Sequence, residues 1–199
     1  MRKDFGAKTW LYPMPVMILA AYDAGGVPMA MNAGWVGVVA DDTVAIGLGS
    51  HHKTTAHILQ SRAFTLSPAT AEQLTACDYV GVESGNQTAD KMERSGFHTR
   101  KAGCVNAPLI DELPLALECE VVRYDEQAQL LLGRVVNVSA EECILGENGR
   151  IDADKAGFLT LDPSSLRYRT VGPVVGQAFH DGLALSRKTQ ARPFDDRKE

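Results

Sequence analysis

Lys53, Thr54 and Thr55 follow a strand-like run, Thr43–Gly49, and a short polar loop, Ser50-His51-His52, and they open a helix-like run. A strand that gives way to a donor-rich loop at a helix start makes an anion site. Unpaired backbone N–H groups and the positive end of the helix dipole both point at it. Gly49, Ser50, His52, Lys53, Thr54 and Thr55 are therefore the candidate phosphate cradle, with an ammonium and two threonine hydroxyls adding to the field. The neighbouring strand-like stretch carries Asn32-Ala33-Gly34-Trp35. There Trp35 offers a flat apolar wall, while Asn32, Ala33 and Gly34 offer backbone N–H and C=O groups. A phosphate cradle beside an aromatic wall suits a ligand with a planar ring at one end and a phosphate at the other. The plainer readings are an ordinary polar connection for the loop, core packing for Trp35 and a bulged strand for the glycine.

Other chemistry-bearing residues carry less. His51, His52 and His57 stand adjacent and five apart, which puts them on different faces of a strand or helix; they read as exposed loop histidines rather than a metal cluster. Cys77, Cys104, Cys119 and Cys143 are widely spaced and form no C-x-x-C pair. That pattern fits reduced thiols in a cytosolic protein, not a disulfide framework or a zinc site, and Cys104 reads as a structural or free thiol. No Ser/His/Asp or acid–base constellation stands out, which fits a chain whose cofactor carries the chemistry.

The elements that must position these residues are mostly strands. Pro15–Tyr22 and Pro28–Ala40 flank a Gly25-Gly26 turn, and Asp41-Asp42 makes a hairpin into Thr43–Gly49. A short helix over Thr54–Ser61 places Ile58 and Leu59 inward, and Ala63–Ser67 returns as a strand. Thr70 is the expected N-cap of a helix over Ala71–Val80, and a short helix is expected near Asp90–Arg94. Leu115, Leu117, Cys119 and Val121 alternate with Ala116, Glu118, Glu120 and Val122, the period of a half-buried strand, and Leu130–Val138 comes back as its hairpin partner. Residues 1–185 read as one domain, and 186–199 as a polar, mobile tail. Many short strands with scattered helices argue for a β-barrel with helices, an α+β domain, and no strand is followed by the G-x-G-x-x-G of a Rossmann fold.

Composition narrows the classes. A chain of 199 residues can bury a sizeable core. A formal net charge of −5 argues against a dedicated nucleic-acid binder. No apolar run reaches the ~20 residues that span a bilayer, and the N-terminus lacks the long apolar segment of a signal peptide, so no membrane partner and a cytoplasmic location are expected.

Taken in order, Pro13-x-Pro15-Val16, Tyr22-Asp23-x-x-Gly-x-Pro28 and Ala33-Gly34-Trp35-Val36-Gly37 resemble the flavin reductase-like FMN-binding split-barrel family, its flavoredoxin-like members in particular. The similarity continues through Ile58–Leu66, Ala76–Gly85, Asp90-Lys91, Ala107–Ile110, Pro114–Cys119 and Gly172–Phe179, about residues 8 to 185. The resemblance implies a six-stranded antiparallel, Greek-key-type split barrel that binds FMN without a covalent bond, as a homodimer with the flavin near the interface. It implies that Gly49–Thr55 holds the phosphate, that Asn32 stands where a small hydroxyl residue is common, and that Lys91 approaches the flavin at its N1–O2 edge. A solvated lysine is the alternative for Lys91. Tyr168 and Arg169 either cover a partner's flavin or form a surface segment. The chain departs from the family at Gly49, where an arginine is common, at Met29 for asparagine, and at His51-His52 for small hydroxyl residues. The loop loses one positive charge and gains bulk.

These expectations amount to an FMN-dependent oxidoreductase moving hydride or electrons between NAD(P)H, bound FMN and an acceptor. The alternatives are a flavin-binding electron carrier without its own NAD(P)H reaction, and a small-ligand binding protein on the same fold that uses no flavin.

Overall fold

Alternation and turn chemistry shape the chain first. In the turn after Tyr22 the Asp23 carboxylate accepts from the N–H groups of Gly25 and Val27, both at 2.8 Å, which reverses the chain. The computed structural model describes residues 1–185. Its strands are β1 (Met14–Pro15), β2 (Met17–Tyr22), β3 (Pro28–Ala33), β4 (Val36–Ala40), β5 (Thr43–Gly47), β6 (Ala63–Pro68), β7 (Thr99–Lys101), β8 (Pro108–Ile110), β9 (Leu115–Asp125), β10 (Leu130–Ala140), β11 (Leu159–Asp162) and β12 (Arg167–Thr170). The α-helices are α1 (Lys53–Ser61), α2 (Leu74–Val82), α3 (Lys91–Ser95) and α4 (Ala153–Ala156). The tail expected over 186–199 lies outside the described residues.

Seven strands make one antiparallel sheet in the order β3-β2-β6-β9-β10-β5-β4. β3 and β4 stand at its opposite ends, yet only Gly34 and Trp35 separate them in the chain. A sheet whose two end strands are joined by two residues must curl until its ends meet. The result is a half-barrel with a few helices, the α+β barrel class expected. The run expected as one strand, Pro28–Ala40, is thus two strands, and seven replace the expected six. The reason is that β3 pairs with β2 while β4 pairs with β5, so the run has to leave one side of the barrel for the other at Gly34. Counted as a single bent strand, it restores a ring of six.

The inside of the curl is filled by Leu19, Ile46, Phe64, Leu66 and Leu131, each at most 1% exposed. A second cluster, with Ile18, Cys77 and Val80, packs α2 against the outside of β2 and β3. Three local expectations need correction. α2 begins at Leu74 rather than Ala71; Thr70 instead bridges to Phe158, and its hydroxyl accepts from Gln73 N–H at 3.3 Å. The outer face of β9 is not half-open: Glu118 is 2% exposed, accepting from Cys104 N–H at 2.6 Å and from the Asn137 amide at 2.8 Å. The polypeptide around Ala102–Ala107 folds over that face, so a strand with a polar period is covered on both sides near its start. Tyr168, on β12, is a packing residue whose hydroxyl donates to Asp78 at 2.6 Å.

No helix among the described residues is long and apolar enough to cross a membrane. Cys77 and Cys119 are buried, and burial pushes their thiols up to about 11 and about 12. Cys104 and Cys143 are exposed, and all four are free.

Candidate functional site

The end of β3, the loop after β5, the start of α1 and the end of α2 converge on one groove with two lobes. The first lobe, about 320 Å³, is lined by Lys53, Thr54, Lys91, Ser84 and the Gly81–Gly85 backbone. The second, about 440 Å³, is lined by Met14, Ala33, Gly34, Trp35, Gly49 and Leu161. Met31, Asn32, His51 and His52 border both. One lobe is rich in cationic and hydroxyl donors, the other in apolar and aromatic surface.

The loop between β5 and α1 is held by its own carbonyls. Leu48 N–H donates to Gln129 O at 2.7 Å, and the Tyr124 hydroxyl donates to Leu48 O at 2.7 Å. Thr55 is fully buried and its hydroxyl donates to Gly49 O at 2.8 Å. The cradle expected from sequence is therefore revised: Thr55 fastens the loop instead of presenting its hydroxyl to a ligand. Ser50 lines neither lobe. Lys53 and Thr54 remain in the donor lobe. α1 starts from His52 in extended backbone, with no side-chain cap and no acidic residue in its first turn, so nothing in the helix itself answers its first N–H groups.

Lys91 is the most telling residue. It is 2% exposed, it lines the donor lobe, and no hydrogen bond or ion pair reaches its ammonium from the described residues. Burial holds the ammonium below the ordinary lysine range, with Glu83 partly offsetting the effect. Glu83 is itself engaged by the Thr88 hydroxyl. A buried cation without a partner is costly unless an anion comes to it, so the solvated-lysine reading is set aside. Lys91, which the resemblance puts at the flavin's N1–O2 edge, lines the donor lobe with Lys53 and Thr54 and not the apolar lobe.

Asn32 donates its amide to Cys77 O at 3.1 Å, which ties β3 to α2 and leaves its Oδ1 as an acceptor. A Cβ on Gly81 would stand 2.8 Å from Asn32 Cβ, so that close approach requires glycine. Trp35 is 67% exposed, which rules out core packing; its Cβ and ring lie against the backbone of Gly47, whose N–H donates to Trp35 O at 2.8 Å. The His51 and His52 rings lie against each other, tilted by 42°, with centroids 4.0 Å apart. His57, expected on an exposed loop, is instead 8% exposed within α1, with Nδ1 unpartnered.

Sequence reasoning missed the contribution of Val80–Gly85, and it missed Met14 and Leu161 in the apolar lobe. Gly81 and Gly85 are the only trace of the first group in the sequence, and they become readable once β3 is known to lie against α2. Nothing local marks Met14 and Leu161, which meet because β1 pairs with β11.

Comparison with known proteins agrees with this fold. Flavoredoxin of Desulfovibrio vulgaris (Miyazaki F) superposes with a TM-score of 0.87 at 29% identity, covering 92% of this chain and 100% of that one. Flavoredoxin from Methanosarcina acetivorans gives 0.83 at 28% identity, covering 94% and 100%. An FMN-binding domain of a flavin reductases-like enzyme from Shewanella baltica OS155 shares the fold, with a TM-score of 0.72 at 20% identity over 82% of this chain and 88% of that one. No curated protein is similar enough to count as a match. The model of the flavin reductase like domain matches residues 9–156, most of the described fold, and the chain belongs to that family.

Proposed function

We propose that the groove binds FMN and that the protein is an FMN-dependent oxidoreductase, taking electrons from NAD(P)H and passing them to an acceptor. The observation that carries this reading is Lys91, a residue 2% exposed whose ammonium takes no hydrogen bond from the described residues and which lines the same lobe as the uncapped start of α1. Together with Lys53 and Thr54 they make a donor set suited to a phosphate monoester. The apolar lobe under Trp35 suits a flat ring, with Asn32 Oδ1 and the Ala33-Gly34 backbone as polar contacts at its edge. Bound FMN supplies the electron-transfer chemistry. The chain's residues bind it, fix its orientation and keep water from one side of it.

A second reading is favoured by the likeness to two flavoredoxins at 28–29% identity: a flavin-binding electron carrier with no NAD(P)H reaction of its own. The visible spectrum after adding FMN and desalting tests the cofactor. Rapid bleaching of the retained flavin by NADH or NADPH supports the first reading, and a flavin that only a protein or chemical reductant bleaches supports the second. A protein that stays colourless overturns both and leaves a ligand of another kind.

Lys53→Ala is expected to weaken FMN binding about tenfold, the lower end for loss of a hydrogen bond to a charged group. Fluorescence titration measures it, and unchanged affinity would remove Lys53 from the cradle. A homodimer is part of the same proposal. Val38, Val39, Val174, Val175 and Phe179 are each at least 59% exposed, more apolar surface on β4 and the late segment than a lone subunit gains from showing. Sedimentation analysis at micromolar concentration checks it.

A further inference from the structure

The loop before α1 contains a feature that the cradle reading does not use. His51 and His52 border both lobes, and their imidazoles touch at a tilt of 42° with centroids 4.0 Å apart. This arrangement depends on residue 49. A Cβ there would stand 2.6 Å from His51 Cε1, 2.8 Å from His51 Nδ1 and 3.3 Å from His52 Cδ2. The imidazole therefore fills the space that any side chain at position 49 would need. The backbone beneath is pinned, since the Asn86 amide donates to His51 O at 2.9 Å. Yet no hydrogen bond from the described residues engages a ring nitrogen of either histidine. His52 sits at the N-cap of α1, and its ring makes no cap bond.

We infer that His52, packed against His51, forms a protonation-gated anion clamp, which closes on the phosphate of a phosphate-ended ligand as imidazolium and releases it as neutral imidazole. The inference rests on the phosphate-ended reading of the groove. The groups facing the pair are Lys53 from the first turn of α1, Lys91 from α3, Glu83 from the end of α2 and, beside Ser50, the Tyr124 hydroxyl from β9. In the free groove, burial and then the charges of His51 and Lys91 hold His52 below the ordinary histidine range. A phosphate dianion reverses the sign of that field. Binding then takes up a proton, and affinity must fall as pH rises through neutrality.

The test is a fluorescence titration of the full chain with FMN and with riboflavin, which has the same ring and no phosphate, from pH 6.5 to 8.5. Over that range a phosphate monoester stays largely dianionic, its second pKa being about 6. FMN affinity is expected to fall about tenfold for one coupled proton over about one pH unit, while riboflavin affinity stays flat. In the double variant His51→Gln, His52→Gln the FMN profile should flatten. Gly49→Ala, which displaces the rings without removing them, should flatten it too. An FMN profile as flat as that of riboflavin, or a slope that survives in both variants, overturns the clamp while leaving the flavin reading intact. FMN that binds at no pH overturns both.

Discussion

Lys91→Met is expected to weaken FMN binding by about ten- to a hundredfold and, in the same protein, to raise the melting temperature of the ligand-free state. The two effects have one cause. The residue is 2% exposed and its ammonium lacks a hydrogen bond or ion pair from the described residues, so in the empty fold only the charge of Glu83 offsets its desolvation. Methionine keeps the length and apolar body of the stem and removes the charge. Replacing such buried charge by apolar atoms is commonly neutral or stabilising by about 1–4 kcal/mol, and each kcal/mol moves the melting temperature of a chain of this size by roughly 2–4 °C. The ligand meanwhile loses a charge-assisted bond worth about 1.5–3 kcal/mol.

The pH dependence of stability has a definite sign. Burial, partly offset by Glu83, puts the folded value of Lys91 below that of the unfolded chain, so the unfolded state holds more protons between the two. Stability of the ligand-free wild type should rise as pH climbs through that window toward the ordinary lysine value, and the methionine variant should lack this rise. Thermal melts with and without FMN from pH 7 to 10 read all of it. A variant that loses both affinity and melting temperature would show that Lys91 is held by contacts inside the protein, and the groove would lose its main anchor.

The second large effect lies in the core. Phe64→Ala is expected to cost about 3–5 kcal/mol, the range for truncating a fully buried aromatic ring, out of a typical total of 5–15 kcal/mol. Urea denaturation should show the midpoint falling with little change in slope. The ring crosses the barrel to the backbone of β10, where the register shifts between Leu132 and Gly133. A Cβ at Gly133 would meet Phe64 Cζ and come within 2.9 Å of Cε1. Gly133→Ala should therefore cost about 1–3 kcal/mol alone and almost nothing in the Phe64→Ala background, a coupling that a double-mutant cycle measures. A loss below about 1 kcal/mol for Phe64→Ala would mean that the barrel interior repacks freely.

What the sequence disclosed followed from local chemistry. Alternation from Leu115 to Val121 and the Asp23 turn were readable because one strand face or one side chain decides them. The loop ahead of Lys53 was readable as an anion site because a strand, a polar loop and a helix start determine where N–H groups point. The rest depended on partners far along the chain. Thr55 differs from Thr54 only through the returning carbonyl of Gly49. Lys91 is buried by α2 and β3, and nothing next to it in sequence says so. The run Pro28–Ala40 is evenly apolar, so its pattern could not tell that β2 takes one half and β5 the other. Glu118 looked like a solvent-facing residue until the Cys104 loop covered it.

The two-residue crossing at Gly34-Trp35 also separates what keeps the protein folded from what it holds. Leu19, Ile46, Phe64 and Leu131 lie inside the curl, and none of them lines either lobe. The groove runs along the join, where Ala33 and Leu48 belong to both sets, Met31 packs against the inner cluster, and Val80 of the second cluster lines the donor lobe. Substitutions at Trp35, His51 or Lys53 can therefore accumulate and change ligand preference while the barrel stays intact beneath them. A lineage built this way can explore new ligands and acceptors by drift, because most of the barrel interior lies out of the groove's reach.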